Sequence, residues 1–249
     1  MGNQEDTQQH VVDTEHMRES PPEHTKGAAP TEVVELPTRL SLYRSAHGLG
    51  NHYVIGEHRE DPLLAVTTHS GFGRAPDVVL HSGPAKDSAM LAGVDSNVLV
   101  HSTTAKLRLP GSPTATEEKT VEIAQQGGAH RFVVQDESRQ PVTFEWLPHA
   151  ETKTSLLGDS RVLHWELVRY AGTGAGKDGA EVQSDEDKQV VATWANESSM
   201  SLSKVLSLEF LVDATRITTR DSWVVMALIT ALRIWDSNTK SVSNKQRMS

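Results

Sequence analysis

Three His-Ser dipeptides recur in the first half of the chain, His69-Ser70, His81-Ser82 and His101-Ser102, each where a short apolar run ends. Three imidazoles suffice to hold a zinc ion and leave a fourth position for the water that a hydrolase activates. Successive strands of an antiparallel sheet end at alternate rims, however, so this order along the chain does not gather them, and serine there serves a turn equally well. His164 and Glu166 share one face of a strand and have the types for acid–base work. Trp165 between them takes the opposite face, so the pair also reads as the wet side of that strand.

Other patterns fail on a single position. No Gly-x-Ser-x-Gly elbow surrounds Ser70, because Thr68 stands two residues before it. Gly172-Thr173-Gly174-Ala175-Gly176-Lys177 has the texture of a phosphate loop, yet Ala171 and Asp178 occupy the places that need glycine and a hydroxyl. The acidic run Asp185-Glu186-Asp187, with Glu181, reads as a solvated loop that attracts cations loosely. The sequence therefore assigns no catalytic, cofactor-binding or metal residue and no cofactor. An enzyme, if there is one, would use a hydrolase or metal site at a rim built from His69, His81, His101 or His164.

Composition narrows the partners. The chain has 249 residues, 37% of them hydrophobic and 23% charged, with a net charge of -9. Those proportions describe a globular domain with a polar tail, and the acidic balance shows no basic stripe of the kind that nucleic acid requires. The absence of cysteine removes disulfides, thiolate zinc, a cysteine nucleophile and palmitoyl anchors together. The N-terminal stretch has no basic segment followed by an apolar one, so the expected location is cytoplasmic. Gly2 invites a myristoyl reading, but Asp6 stands where the motif wants Ser or Thr. The sequon at Asn196 reads as chance.

The elements that would position any site are mainly strands. Residues 1–36 carry too few apolar side chains to offset chain entropy and are expected as a disordered tail. From Leu40 the period becomes two. Val142, Phe144 and Trp146 share one strand face; Leu163, Trp165 and Leu167 share another; so do Val190, Ala192 and Trp194, and then Leu206, Leu208, Phe210 and Val212. Further strands are expected near Leu40, Val54, Leu63, Asp77, Asn97, Ala105, Lys119 and His130. Residues 82–93 are left open between a short helix and an irregular connection, and 171–188 read as a long loop. Roughly a dozen strands exceed what one flat sheet holds, so they split into packed sheets or close into a barrel.

The decisive segment is Asp221-Ser-Trp-Val-Val-Met-Ala-Leu-Ile-Thr-Ala-Leu-Arg-Ile-Trp-Asp236. Asp221 or Ser222 suits an N-cap, and from Trp223 to Leu232 only Thr230 is polar. A helix apolar on every side must be enclosed. A bilayer asks for about 20 such residues and this run has about 13, so no transmembrane segment is expected. The fold class that follows is all-β with one helix: a roughly twelve-stranded closed antiparallel barrel, over 37–237, enclosing the C-terminal helix, with 238–249 as a second tail. A sandwich with the helix across one end is the alternative. If the helix plugs the barrel, no internal ligand cavity remains.

This order of strands closing on an apolar helix resembles the tubby C-terminal-like superfamily, which joins tubby proteins, the plant LURP-one-related proteins and the phospholipid scramblases. The resemblance is carried by Phe144-Glu145-Trp146, by Trp165-Glu166-Leu167 after the turn at Gly158, by Ala192-Thr193-Trp194 and by the helix from Trp223 to Trp235. It implies a non-enzymatic binding or adaptor domain, at a membrane surface in the version the family suggests, with an unknown protein or a lipid headgroup as partner. No Lys/Arg pair here matches the phosphoinositide site of tubby proteins residue by residue. The scramblase cysteine cluster is absent, and Asp185-Glu186-Asp187 lacks the context of a calcium segment, so neither activity carries over. Ligand, oligomeric state and pathway stay open.

Overall fold

The computed structural model describes residues 32–45, 51–69, 75–97, 102–111, 118–136, 138–155, 158–170, 188–196, 203–211 and 217–247. Its strands are β1 (Glu35–Leu36), β2 (Arg39–Arg44), β3 (His52–Gly56), β4 (Leu64–Thr68), β5 (Val78–His81), β6 (Met90–Asn97) and β7 (Ser102–Leu107). They continue as β8 (Lys119–Gln126), β9 (Ala129–Gln135), β10 (Pro141–Ser155), β11 (Gly158–Tyr170), β12 (Lys188–Asn196), β13 (Lys204–Phe210) and β14 (Ile217–Thr218), followed by one helix, α1 (Ser222–Arg247).

β2 through β13 form a closed barrel of twelve antiparallel strands in which every strand pairs with its neighbours in sequence. The seam joins β13 back to β2, with Leu206 opposite Leu42 and Leu208 opposite Leu40. Local chemistry sets this up-and-down course. β8 alternates strictly, Val121 and Ile123 inward and their neighbours outward, and Gly127 and Gly128 both adopt positive φ in the two-residue turn to β9, the conformation that a type I′ hairpin demands. At Gly56 a Cβ would lie 2.6 Å from the Asp61 carbonyl oxygen, so the tight loop after β3 needs glycine.

The helix lies inside. Every residue from Val224 to Leu232 is at most 2% exposed, and its neighbours come from around the ring. It packs on β5, β6, β7 and β9; Leu228, Ala231 and Leu232 face Leu40, Leu42, Leu206 and Leu208 of β2 and β13. Trp235 meets Tyr53 of β3 edge-on at 4.9 Å, and Trp223 stacks on Phe144 of β10 at 5.7 Å. Each enclosed Leu, Ile or Val stabilises this arrangement by about 1.5–3 kcal/mol. Asp221 is the N-cap residue: its carbonyl accepts the Val225 amide at 3.2 Å, while its carboxylate accepts the Thr218 hydroxyl at 2.9 Å. No helix among the described residues is long and apolar enough to cross a membrane.

Some details differ from the sequence reading and others complete it. The helix does not stop at 237 but continues to Arg247, because propagation is cheap once the enclosed turns exist and because Lys240 pairs with Asp236 at 2.7 Å. Ahead of the barrel, β1 pairs with β14 in a separate two-stranded sheet and Leu36 is buried; residues 1–31 lie outside the described residues. Within 82–93 there is no helix, and Met90 to Gly93 already belong to β6. In β12, Val190 does not share the face of Ala192 and Trp194. A register shift against β11 after Leu167 turns Val191 inward at 1% exposure and leaves Val190 at 37%, as a bulge does.

Candidate functional site

The barrel has two unlike ends. Where α1 begins, the ends of β9 to β12 stand away from the helix and leave an open pocket of about 760 Å³. Sequence reasoning expected the plug to leave no cavity. That holds along the middle of the helix, where the small void beside Leu228 has a volume of about 10 Å³, and fails at its first turn. The reason is length: α1 starts only at Ser222, so the strand ends beyond it enclose space that no helical residue fills.

The pocket wall is apolar on one side, from Val134, Val142, Phe144, Val191 and Trp223, and charged on the other, from Arg169, Arg220, Asp136 and Asp221. Phe132, Phe144 and Trp223 form a stacked tier, with ring centroids 5.5 Å apart in the first pair and 5.7 Å in the second. Phe210 meets Trp223 edge-on at 5.7 Å. The indole is thus held on two sides. Arg169 projects from β11 with its Nε buried and without a hydrogen-bond partner. Arg220 is exposed and lies over Gly111. The two carboxylates are held by their own turns, Asp136 by the Gln140 amide at 2.8 Å and Asp221 by Thr218. Among the described residues neither arginine has a carboxylate within salt-bridge distance.

The other end of the barrel is polar inside. His130 faces inward from β9, opposite Trp146, with its ring 5.8 Å from Trp165. Burial first, and then the Arg233 guanidinium, lower its pKa to about 4. Arg233 itself lies 3.8 Å from Asp77 and 3.7 Å from Asp236. The sign follows from linkage: the unfolded chain takes up a proton near pH 6.5 that the folded ring resists until about pH 4. No penalty exists above pH 6.5, and it grows as the pH falls through that window. Since the ring is partly accessible, we expect about 1–2 kcal/mol of lost stability by pH 5 rather than the full value the shift would give. Urea denaturation at pH 7.5 and 5.0 checks this, with the loss smaller by that amount in His130→Phe.

The histidines singled out from the sequence do not form one site. His69 follows β4 and His81 ends β5, whereas His164 lies on β11, five and six places away round a ring of twelve and so on the opposite wall. His81 is buried, and burial chiefly pushes its pKa down. Its Nδ1 donates to the Ser88 carbonyl at 2.9 Å, which leaves Nε2 to accept from the Thr67 hydroxyl at 3.1 Å. Both ring nitrogens are therefore engaged in packing the 82–89 connection onto the wall. The His69 carbonyl accepts from Lys240 Nζ at 3.0 Å. His164 does meet Glu166, at 3.7 Å, and His149 across the hairpin meets the same carboxylate at 3.2 Å. This is a half-exposed cluster on the outer face, and among the described residues no group of three donors is placed to hold a metal ion. His101, Ser70, the 172–177 glycine run, Glu181 and Asp185 to Asp187 lie outside the described residues.

On the outer wall of the same hairpin, Glu145 is buried. It accepts from the Tyr170 hydroxyl at 2.7 Å and lies 3.4 Å from Arg131. Its charge is answered within the wall, so it is a structural tie between β9, β10 and β11. Comparison with protein-family models, with curated proteins and with solved structures found no match. The pocket at the start of the helix is thus the strongest candidate that the chain's own geometry offers. None of Arg169, Arg220, Phe144 or Trp223 was marked as a site residue from the sequence.

Proposed function

We propose that this chain is a non-enzymatic binding module whose ligand sits in the barrel mouth, on the first turn of α1. The observation that carries the proposal is the open pocket of about 760 Å³, a size common for small-molecule sites, with an apolar wall and a few convergent polar groups. Its donors are suited to holding a ligand rather than to reacting with it. Two guanidiniums offer donors and no acceptor, and each carboxylate beside them accepts a hydrogen bond from its own turn. The tubby-like resemblance of the sequence supports the same class, a binding or adaptor domain. It also supplies the setting we propose: cytoplasmic, peripheral at a membrane surface, with a lipid headgroup or a protein as the larger partner. Flotation with liposomes at low salt, with and without phosphoinositides, tests the setting; a chain that stays unbound in both would remove it.

The seat itself is tested with a neutral polarity-sensitive dye, N-phenyl-1-naphthylamine. The full chain is expected to bind it saturably. In Ser138→Trp, where a large ring from the exposed turn between β9 and β10 narrows the mouth, affinity should fall at least tenfold while circular dichroism stays unchanged. Equal binding by the two folded proteins would place the dye elsewhere and contradict the proposal.

A further inference from the structure

We infer that the ligand of this mouth pocket is an amphiphilic carboxylate: an anionic head held by Arg169, with Arg220 beside it, and an aromatic or aliphatic body laid against Trp223. The inference rests on the binding-module reading and deepens it by naming the chemistry of the occupant.

Three features favour an anion. First, Arg169 carries a buried Nε with no acceptor. A buried donor on a fixed positive charge is costly to leave unanswered, and the nearest acidic groups of the pocket are engaged by Gln140 and Thr218 instead. Second, the floor of the pocket is the start of α1. Its first turn contains no acidic side chain, and Asp221 turns its carboxylate back to Thr218 rather than onto the helix amides. The helix start adds its partial positive charge to the pocket beside the Asp221 carboxylate, which lines the same space. Third, Arg220 adds a second guanidinium on the same lining. The planar fork of an arginine matches the two oxygens of a carboxylate.

The body of the ligand follows from the opposite wall. Trp223 is braced by a parallel Phe144, 4° from coplanar, and by an edge-on Phe210, so its remaining face is a rigid apolar surface. The part-buried Leu109 belongs to the same lining. A small inorganic anion would leave this wall wet, and a neutral hydrocarbon would leave Arg169 unanswered. A molecule with both parts satisfies both walls. A free fatty acid and an aryl carboxylate share this chemistry.

The test uses the full chain and matched probes: 1-naphthoate, its neutral isostere 1-naphthamide, and octanoate as the aliphatic arm, each titrated by calorimetry. Naphthoate should bind at least tenfold more tightly than naphthamide. That preference should shrink to within twofold in Arg169→Gln and fall in part in Arg220→Gln, with naphthamide affinity unchanged in both. Octanoate competing with naphthoate would point to the aliphatic source, and failure to compete would point to the aromatic one; either is consistent with the inference. If naphthoate and naphthamide bind equally, the pocket is a seat but not for anions, and the inference falls alone. If the preference survives in both arginine variants, the anion binds elsewhere and the inference is overturned. If neither naphthalene probe binds, the binding-module reading falls together with it.

Discussion

Replacing Ile229 by aspartate is expected to leave no stably folded protein. Ile229 is 0% exposed in the middle of a helix walled on every side, so a carboxylate there has neither water nor a partner. Burying an unpaired charge, together with losing the isoleucine's packing, exceeds 4 kcal/mol, a large part of the 5–15 kcal/mol that holds a typical domain together. The adjacent position gives the control. Thr230 is also 0% exposed, and its hydroxyl has no hydrogen-bond partner. Thr230→Val keeps the shape and removes an unsatisfied polar atom, so its stability should be unchanged or higher by about 1 kcal/mol. The far-ultraviolet circular dichroism of purified protein and a urea midpoint read both. A folded Ile229→Asp would mean that this face of the helix reaches solvent.

The second large effect belongs to Trp194. It is 1% exposed and stacks on Trp165 at 5.6 Å, nearly parallel, which joins β11 to β12 inside the wall. Trp194→Ala should cost about 3–5 kcal/mol, the range for deleting a large buried ring. Trp194→Phe should cost only about 1 kcal/mol, because the indole nitrogen it discards makes no hydrogen bond. Urea denaturation of the three proteins checks the order, and a Phe variant as damaging as the Ala variant would show that the indole nitrogen is satisfied after all.

Particular residues show how far the sequence could be read. The enclosed helix was legible because Trp223 to Leu232 has no wet face, and the strands of β8, β10 and β13 were legible because their alternation is unbroken. Two kinds of feature were not. The bulge that reverses Val190 and Val191 depends on pairing between β11 and β12, which no local pattern encodes. The extension of α1 to Arg247 depends on turns already built by enclosure, while residues 238–247 alone are polar enough to read as a tail. The pocket was half legible. The alternation that places Trp165 and Leu167 inward reaches Arg169 at its next step, so an inward arginine at a strand end was available as a signal. Its distance from the helix start was not, because Arg169 and Trp223 are brought together only by closure of the ring. The histidines attracted attention by type, yet His81 serves to anchor a connection and His164 sits on the outer surface of a hairpin.

The pocket exists only if α1 fills the barrel from Trp223 onward and leaves the space before it open, so enclosure of the helix is the central claim. Amide hydrogen exchange of the full chain, read by mass spectrometry, tests it most directly. Enclosed amides exchange only when the whole domain opens. Peptides covering Val224 to Trp235 are therefore expected to be among the slowest in the chain, with the protection of the β10 and β11 peptides around Trp146 and Trp165 and the same dependence on urea. Exchange of the 224–235 peptides well ahead of those strands, with little dependence on urea, would show that the helix leaves the barrel without unfolding it and would contradict the account.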